Sequence, residues 1–402
     1  MPVSDVPDIG ETSIPRLSLM ELFMKFLHFG CLAFGGPVAQ IALIRQALVD
    51  EEKWISSARF NRLLAVMQVL PGPEAHELCV HMGLMARGRI GGLLAGLGFM
   101  LPGFILMLVC AWAYAEFISG KPELYGILLG VQVAVLAVIA RSVQRIGQHI
   151  LNDSALWAFA CIAAVATLAG VPFWVPLIAG ALAYTRPTKP VVAIALATLI
   201  VLAAWFILPQ GDAVQLSSSG TKREVLDTFA LFIAGLKGGL LTFGGAYTAI
   251  PYVRADTVGR GWLSDGAFLD GVALANVLPA PLVIFATFVG YQAGGIEGAL
   301  AATAGMFLPA FAFSLVFYER LESVVDQPRL HRTLDGVAAA AVGIIAATLL
   351  QLGQSAWQRL DTPLLALPIF AAAAVAAWAL KGKWVTPAIV AAGAILGALF
   401  LG

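Results

Sequence analysis

Apolar residues fill this chain in long runs separated by short polar, proline- or glycine-bearing segments. A run of about 20 apolar residues is long enough to cross a bilayer as a helix. The pattern predicts thirteen spans, at 19–44, 60–84, 90–117, 124–147, 154–169, 171–185, 190–208, 228–253, 267–291, 295–318, 333–353, 363–380 and 384–401. The spans 154–169, 171–185 and 384–401 are short and read as half-crossing hairpins. The strongly polar interior stretch, 209–227, contains a Ser/Gly run and reads as a linker. Residues 1–18 lack the basic start and short apolar core of a cleavable signal and read as a tail.

Composition agrees with the pattern. Of the 402 residues, 60% are hydrophobic and 12% charged, against about 25% charged in soluble domains. The expected fold class is an all-α polytopic membrane protein. Formal net charge is zero, so no global field points to nucleic acid. Cys31, Cys79, Cys110 and Cys161 stand singly in apolar surroundings and read as small buried hydrophobes.

The two ends of the chain repeat each other. LAFGGPVAQI at 32–41 answers LTFGGAYTAI at 241–250, and Arg45 matches Arg254. WIS at 54–56 matches WLS at 262–264, QVLPGP at 68–73 matches NVLPAP at 276–281, and Pro102 matches Pro309. This gives a tail over 1–18, a first repeat over 19–185, an extra span and linker over 186–227, and a second repeat over 228–402. The odd extra span makes the repeats inverted, an arrangement that builds secondary transporters with a midplane site. With the N-terminus inside, fourteen Lys/Arg fall in inside segments and eight outside. That orientation follows the positive-inside rule.

Four titratable groups sit in the first LPGP segment: Glu74, His76, Glu77 and His81. Pro71 and Pro73, and in the second copy Pro279 and Pro281, remove backbone donors and should break their helices. Broken backbone survives at membrane depth only against protein or a watery cavity, and a restarting helix points a positive end at an anion. A simple proline kink is the alternative. The FGG triplets, Phe34-Gly35-Gly36 and Phe243-Gly244-Gly245, fit either an unwound turn or close helix packing. His76 and His81 are five apart, which fails the zinc-protease spacing and leaves no metal site. Glu77 and His81 are spaced to pair on one helix face, and the group as a whole suits proton coupling or support of the break.

Intramembrane cations complete the candidates. His28 and Lys237 align between the repeats and could draw an oxyanion, while Lys25 reads as snorkelling to the interface. Arg45 and Arg254 are either anion contacts or topology anchors. Arg87, Arg89, Trp54 and Trp262 read as interface anchors. The candidate substrate-contacting set is Phe34, Gly35, Gly36, Arg45, Pro71, Gly72, Pro73, Lys237, Phe243, Gly244, Gly245, Arg254, Asn276, Pro279 and Pro281. His28, Glu74, His76, Glu77 and His81 form the proton-coupling or break-supporting set. No Walker A sequence is present, so a proton or the membrane potential is the driver.

FGGPVAQIALIRQALVDEEKWIS, LPGPEAHELCVHMG and GGLLAGLGFMLPG in the first repeat, with TFGGAYTAIPYV, LPAPLVIFATFVG and MFLPAF in the second, make the chain resemble the chromate ion transporter family in its long two-domain form. The likeness covers residues 19–401. LPAP departs from the usual proline-glycine-proline of the second copy, and AHELCVH follows the first. The resemblance implies a non-enzymatic transporter of the cytoplasmic membrane, without cofactor, exporting chromate. Sulfate or another oxyanion moving inward and a passive anion channel are the competing expectations. Lipid surrounds such a protein; its oligomeric state stays open, a homodimer included.

Overall fold

The computed structural model describes residues 17–67, 70–185, 189–207, 227–242, 246–317, 328–360, 363–380 and 384–401, with Pro15 and Gly382 besides. Most of the tail, most of the linker and the whole second FGG triplet (Phe243, Gly244, Gly245) lie outside the described residues. Fifteen α-helices and no strand occur among the described residues. They are α1 (Leu19–Cys31), α2 (Gly36–Arg45), α3 (Ser57–Met67), α4 (Glu74–Ala113), α5 (Tyr125–Ile150), α6 (Ser154–Leu168), α7 (Trp174–Tyr184) and α8 (Pro190–Ile207). The second repeat supplies α9 (Thr228–Leu240), α10 (Ala249–Thr257), α11 (Asp265–Val277), α12 (Phe285–Ala312), α13 (Pro328–Gln358), α14 (Pro363–Ala379) and α15 (Val385–Phe400).

Both α4 and α12 are folded double. Arg87 and Gly88, and likewise Gly294 and Gly295, leave helical geometry, with Gly88 at φ 66° and Gly295 at φ 62°. A Cβ built on Gly83 would stand 2.4 Å from the Gly91 carbonyl oxygen, and one on Gly290 2.3 Å from that of Gly298. Residues eight apart in a straight helix are about 12 Å apart. Each helix therefore consists of a short arm and a long arm packed back to back. Glycine is needed twice here, for the left-handed turn and for backbone contact between the arms.

Four helix pairs turn back before crossing. In the pair α1/α2, Lys25 is ion-paired with Glu52, and the Phe26 ring lies 6.4 Å from that of Trp54. In α9/α10, Lys237 meets Asp256 at 3.0 Å. Phe60 and Leu63 of α3 share one core with Leu78 and Met82 of the short arm of α4. In α11 and the short arm of α12, Phe268 packs on Phe285 at 5.7 Å, and a Cβ on Gly271 would touch the Phe288 ring. The spans 19–44, 60–84, 228–253 and 267–291 are thus re-entrant pairs. Hydropathy counts apolar length and is blind to a reversal of direction. Among the described residues five helices keep the length and apolarity of full crossings: α4 and α12 with their long arms, α5, α8 and α13.

The repeats are inverted. Leu22 of α1 packs near Gly91, where the long arm of α4 begins. At the far end of that arm, Tyr114 bonds Asp270 of α11, and Ala111 accepts from Gln292 beside the turn of α12. The re-entrant pairs of the first repeat therefore enter from one face and those of the second from the opposite face, with α8 as the odd crossing between them. The remaining helices are exchanged. A Cβ on Gly130 of α5 would stand 2.1 Å from the Gly393 oxygen of α15, and one on Gly336 of α13 2.2 Å from the Gly180 oxygen of α7. The long crossing helix of each repeat thus packs against the short hairpin of the other.

Several expectations change in this arrangement. Trp54 and Trp262 are buried, at 0% and 6% exposure; the indole N–H of Trp54 donates to Glu52 at 2.9 Å, so these are core residues and not interface anchors. Lys25 reaches Glu52 at the mouth of α1/α2. Cys79 is buried, but Cys31 and Cys161 are exposed on outer faces.

Candidate functional site

The tips of the four re-entrant pairs meet at the centre. Gly72 N–H, in the first break, donates to Thr242 O after α9 at 2.9 Å. In the reciprocal place the Gln40 amide donates to both Ala33 O after α1, at 2.9 Å, and Ala280 O in the second break, at 2.8 Å. The contacts of the breaks are exchanged too. A Cβ on Gly72 would lie 3.2 Å from Ala310 of the long arm of α12, and one on Gly103 of the long arm of α4 would overlap Ala280.

Between these tips lies a cavity of about 10 Å³ lined by Pro37, Gln40, Pro73, Glu74, Ala75, Ala246, Pro281 and Leu282. That is the room of one water. Its lining comes from both repeats and from corresponding positions. Pro73 and Pro281 stand at the two breaks, and Pro37 and Ala246 follow the two FGG segments.

Four helical segments start at its wall: α2 at Gly36, α4 at Glu74, and the short 3₁₀ turns that lead into α10 at Ala246 and into α12 at Leu282. Proline at a helix start costs nothing, because its missing N–H would be unpaired there anyway. The first N–H groups of each segment have no acceptor within their own helix, and the aligned peptides add partial positive charge. No Lys or Arg among the described residues lines the cavity. Its positive character comes from these backbone ends.

The acidic groups lie beside it. Glu74 lines the cavity. Glu77, one turn on, is completely buried and neither carboxylate oxygen has a hydrogen-bond partner among the described residues. It lies against Gly72, where a Cβ would meet its Oε1 at 2.7 Å. The spacing-based pairing of Glu77 with His81 does not form. His76 is not among the lining residues; its ring is edge-on to Phe307 at 5.0 Å and Phe311 at 4.8 Å. His81 is buried at 2% exposure.

The cations separate from the site. Lys237 is held by Asp256, and His28 is exposed. Arg254 is 3% exposed. It forks onto Asp265 at 2.7 and 2.9 Å and donates to Gln351 at 3.0 Å, clamping α10, α11 and α13. Arg45, its counterpart, donates to Ser57 at 2.9 Å on the surface. Each is a brace at the mouth of a re-entrant pair. Asn276 accepts from the Tyr247 hydroxyl at 2.6 Å, just ahead of the second break.

Sequence reasoning missed Gln40, which stitches the repeats, and Asp270. The Asp270 carboxylate, 4% exposed, accepts from the Tyr114 hydroxyl and the Gln132 amide, both at 2.8 Å. A lone Gln or Asp inside an apolar run was the available signal.

The matching positions of the two repeats now have one geometric cause: both build the same central junction. Known proteins repeat the pattern. The family described as chromate transporter matches residues 20–185 and again residues 229–398. The chain belongs to the chromate transporter family. The chromate transport protein of Pseudomonas aeruginosa is 53% identical over 389 residues, covering 95% of this chain and 92% of that protein. The chromate transport protein of Cupriavidus metallidurans is 31% identical over 396 residues, covering 95% and 93%. The probable chromate transport protein of Synechococcus elongatus is 31% identical over 390 residues, covering 96% of each. No solved structure matches the chain. As a member of this family the protein is a multi-pass membrane transporter and not an enzyme.

Proposed function

We propose that this transporter exports chromate from the cytoplasm across the inner membrane, with the dianion held at the junction of the four re-entrant tips. The observation that carries the reading is the convergence of four helix starts on one cavity shared by both repeats. Positive helix ends suit an oxyanion and leave no buried cation to neutralise when the site is empty. At about 10 Å³ the cavity is closed to chromate, so transport requires the tips to separate. This favours alternating access over a standing pore.

Glu74 and Glu77 supply the coupling. A carboxylate ionised beside the same helix starts would compete with a dianion for them, and Glu77 has no donor among the described residues to offset its charge. Loading the anion therefore favours a protonated acid. Orientation follows from basic residues at the described helix ends and turns. Arg45, Lys53, Arg59, Arg87, Arg89, Arg141, Arg145, Lys189 and Arg332 lie toward the face where α1 begins, against Lys121, Arg254, Arg260 and Arg359 toward the other. By the positive-inside rule this distribution supports a cytoplasmic position for the first face and the N-terminus. Lipid covers outer apolar residues such as Val191, Phe206 and Leu399.

Everted membrane vesicles containing the protein test this with radiolabelled chromate. Accumulation against a gradient, abolished by a protonophore and competed by sulfate, is the expected result. Equilibration without accumulation would make the protein a channel. Sulfate uptake without chromate uptake would reassign the substrate.

A further inference from the structure

The cations that close the mouths of re-entrant pairs are paired in this fold: Lys25 with Glu52, Lys237 and Arg260 with Asp256, Arg254 with Asp265. Arg141 and Arg145 of α5 differ. They stand four apart on one helix face, and neither guanidinium has a hydrogen bond or ion pair among the described residues. Arg141 is half-buried with its guanidinium 5.6 Å from the Trp378 ring, and Arg145 is exposed.

Their position connects to the cavity. Ala246 lines it, and the next residue, Tyr247, turns its hydroxyl to Asn276 at 2.6 Å. The turn that holds Tyr247 packs on α5, where the Ser142 hydroxyl donates to Val138 O at 3.0 Å and the Arg145 charge lies near enough to act on the Tyr247 hydroxyl. The chain of groups thus runs from the cavity wall through Tyr247, Asn276 and Ser142 to Arg145, toward the face where α1 begins. Among the described residues the other face has no such arrangement. Thr348 and Gln351 take the places of Ser142 and Arg145 in the repeat, and Gln351 is occupied by Arg254.

We infer that Arg145, with Arg141 behind it and the Tyr247–Asn276–Ser142 hydroxyl–amide cluster in front, forms the access site that captures a tetrahedral oxyanion on the cytoplasmic face before it reaches the helix starts. This rests on the proposed function and assigns residues to its first step. An exposed guanidinium without a carboxylate keeps its donors for an incoming anion, and its fork matches two oxygens of a tetrahedral group. Asn276, held by the Tyr247 hydroxyl and using one amide N–H on Val272 O, then offers its second N–H as a neutral donor, which meets the anion without the cost of burying a further charge.

The test is chromate uptake into everted vesicles over a concentration series, with protein amount fixed by immunoblot. Arg145→Gln should raise the half-saturating chromate concentration at least fivefold while leaving the maximal rate within twofold of wild type. Arg145→Lys should recover most of the loss. Arg89→Gln, which removes another exposed arginine on the same face, should change neither parameter. Tyr247→Phe keeps the ring in place and should also raise half-saturation; it decides the matter if Arg145→Gln inserts poorly. Unchanged half-saturation in Arg145→Gln or, failing its insertion, in Tyr247→Phe overturns the access site while leaving chromate export intact. A wild-type protein that moves no oxyanion refutes the proposed function itself.

Discussion

Tyr114 ends the long arm of α4 in the first repeat and donates a 2.8 Å hydrogen bond to Asp270 of α11 in the second. With Gln132 on the other carboxylate oxygen, this ties a re-entrant helix to the crossing helices of the opposite repeat. The Arg254–Asp265–Ser355 set lies at the mouth of the same pair, Ser355 donating to Asp265 at 2.8 Å. At the corresponding mouth in the first repeat Arg45 donates to Ser57, and Lys25 is ion-paired with Glu52. Among the described residues the arginine brace is therefore the more extensive on the face where α9 begins.

Tyr114→Phe should destabilise the protein by about 1–3 kcal/mol, because a buried carboxylate loses one of its two donors. Thermal unfolding in detergent measures it. A change below about 0.5 kcal/mol would mean that the hydroxyl contributes nothing to closure.

The arm-to-arm glycines tolerate no side chain. Gly290→Ala would place a methyl 2.3 Å from the Gly298 oxygen, an overlap that backbone must move to relieve, so folded yield should drop sharply. Gly353→Ala has open space around it and lies in a helix, so it should stabilise slightly. Size-exclusion yield and melting temperature compare the two.

The exchange of hairpins can be trapped. The Thr185 and Thr333 side-chain oxygens, one after α7 and one on α13, lie 2.9 Å apart, so their side chains are within reach of a disulfide. The Thr185→Cys/Thr333→Cys pair should therefore cross-link on oxidation. After cleavage at a protease site inserted within 208–226, the two repeats should migrate together until reduced. Separate migration would contradict the exchanged packing.

Glu77→Gln retains size and removes the titrating group. Insertion should be normal and the pH dependence of chromate transport should flatten; Glu74→Gln should alter it less, since Glu74 is partly accessible. Wild-type pH profiles in both variants would remove the carboxylates from the coupling step.

Lys237→Met should leave half-saturation for chromate unchanged and cost about 0–1 kcal/mol, because the lost interaction is a partly exposed ion pair with Asp256. A several-fold loss of chromate affinity in a folded variant would return Lys237 to the substrate path.

The apolar runs determined by themselves that this chain is a helical membrane protein, since a bilayer accepts little else of that composition. The internal repeat, the odd span α8 and the proline breaks were equally legible, because inversion needs only parity and proline acts on its own backbone. What the runs could not determine was direction. Whether 60–84 crosses or returns depends on Gly72 and on the partners waiting at its tip, Thr242 and Ala310, more than 160 residues away in sequence. The partner of Lys237 was hidden for the same reason: Lys237 has no acid within one turn of its own helix, and only the fold brings α10 back to set Asp256 beside it. Local chemistry fixed where the helices break. Tertiary packing decided that the broken ends meet, and that backbone dipoles rather than side-chain cations surround the cavity between them.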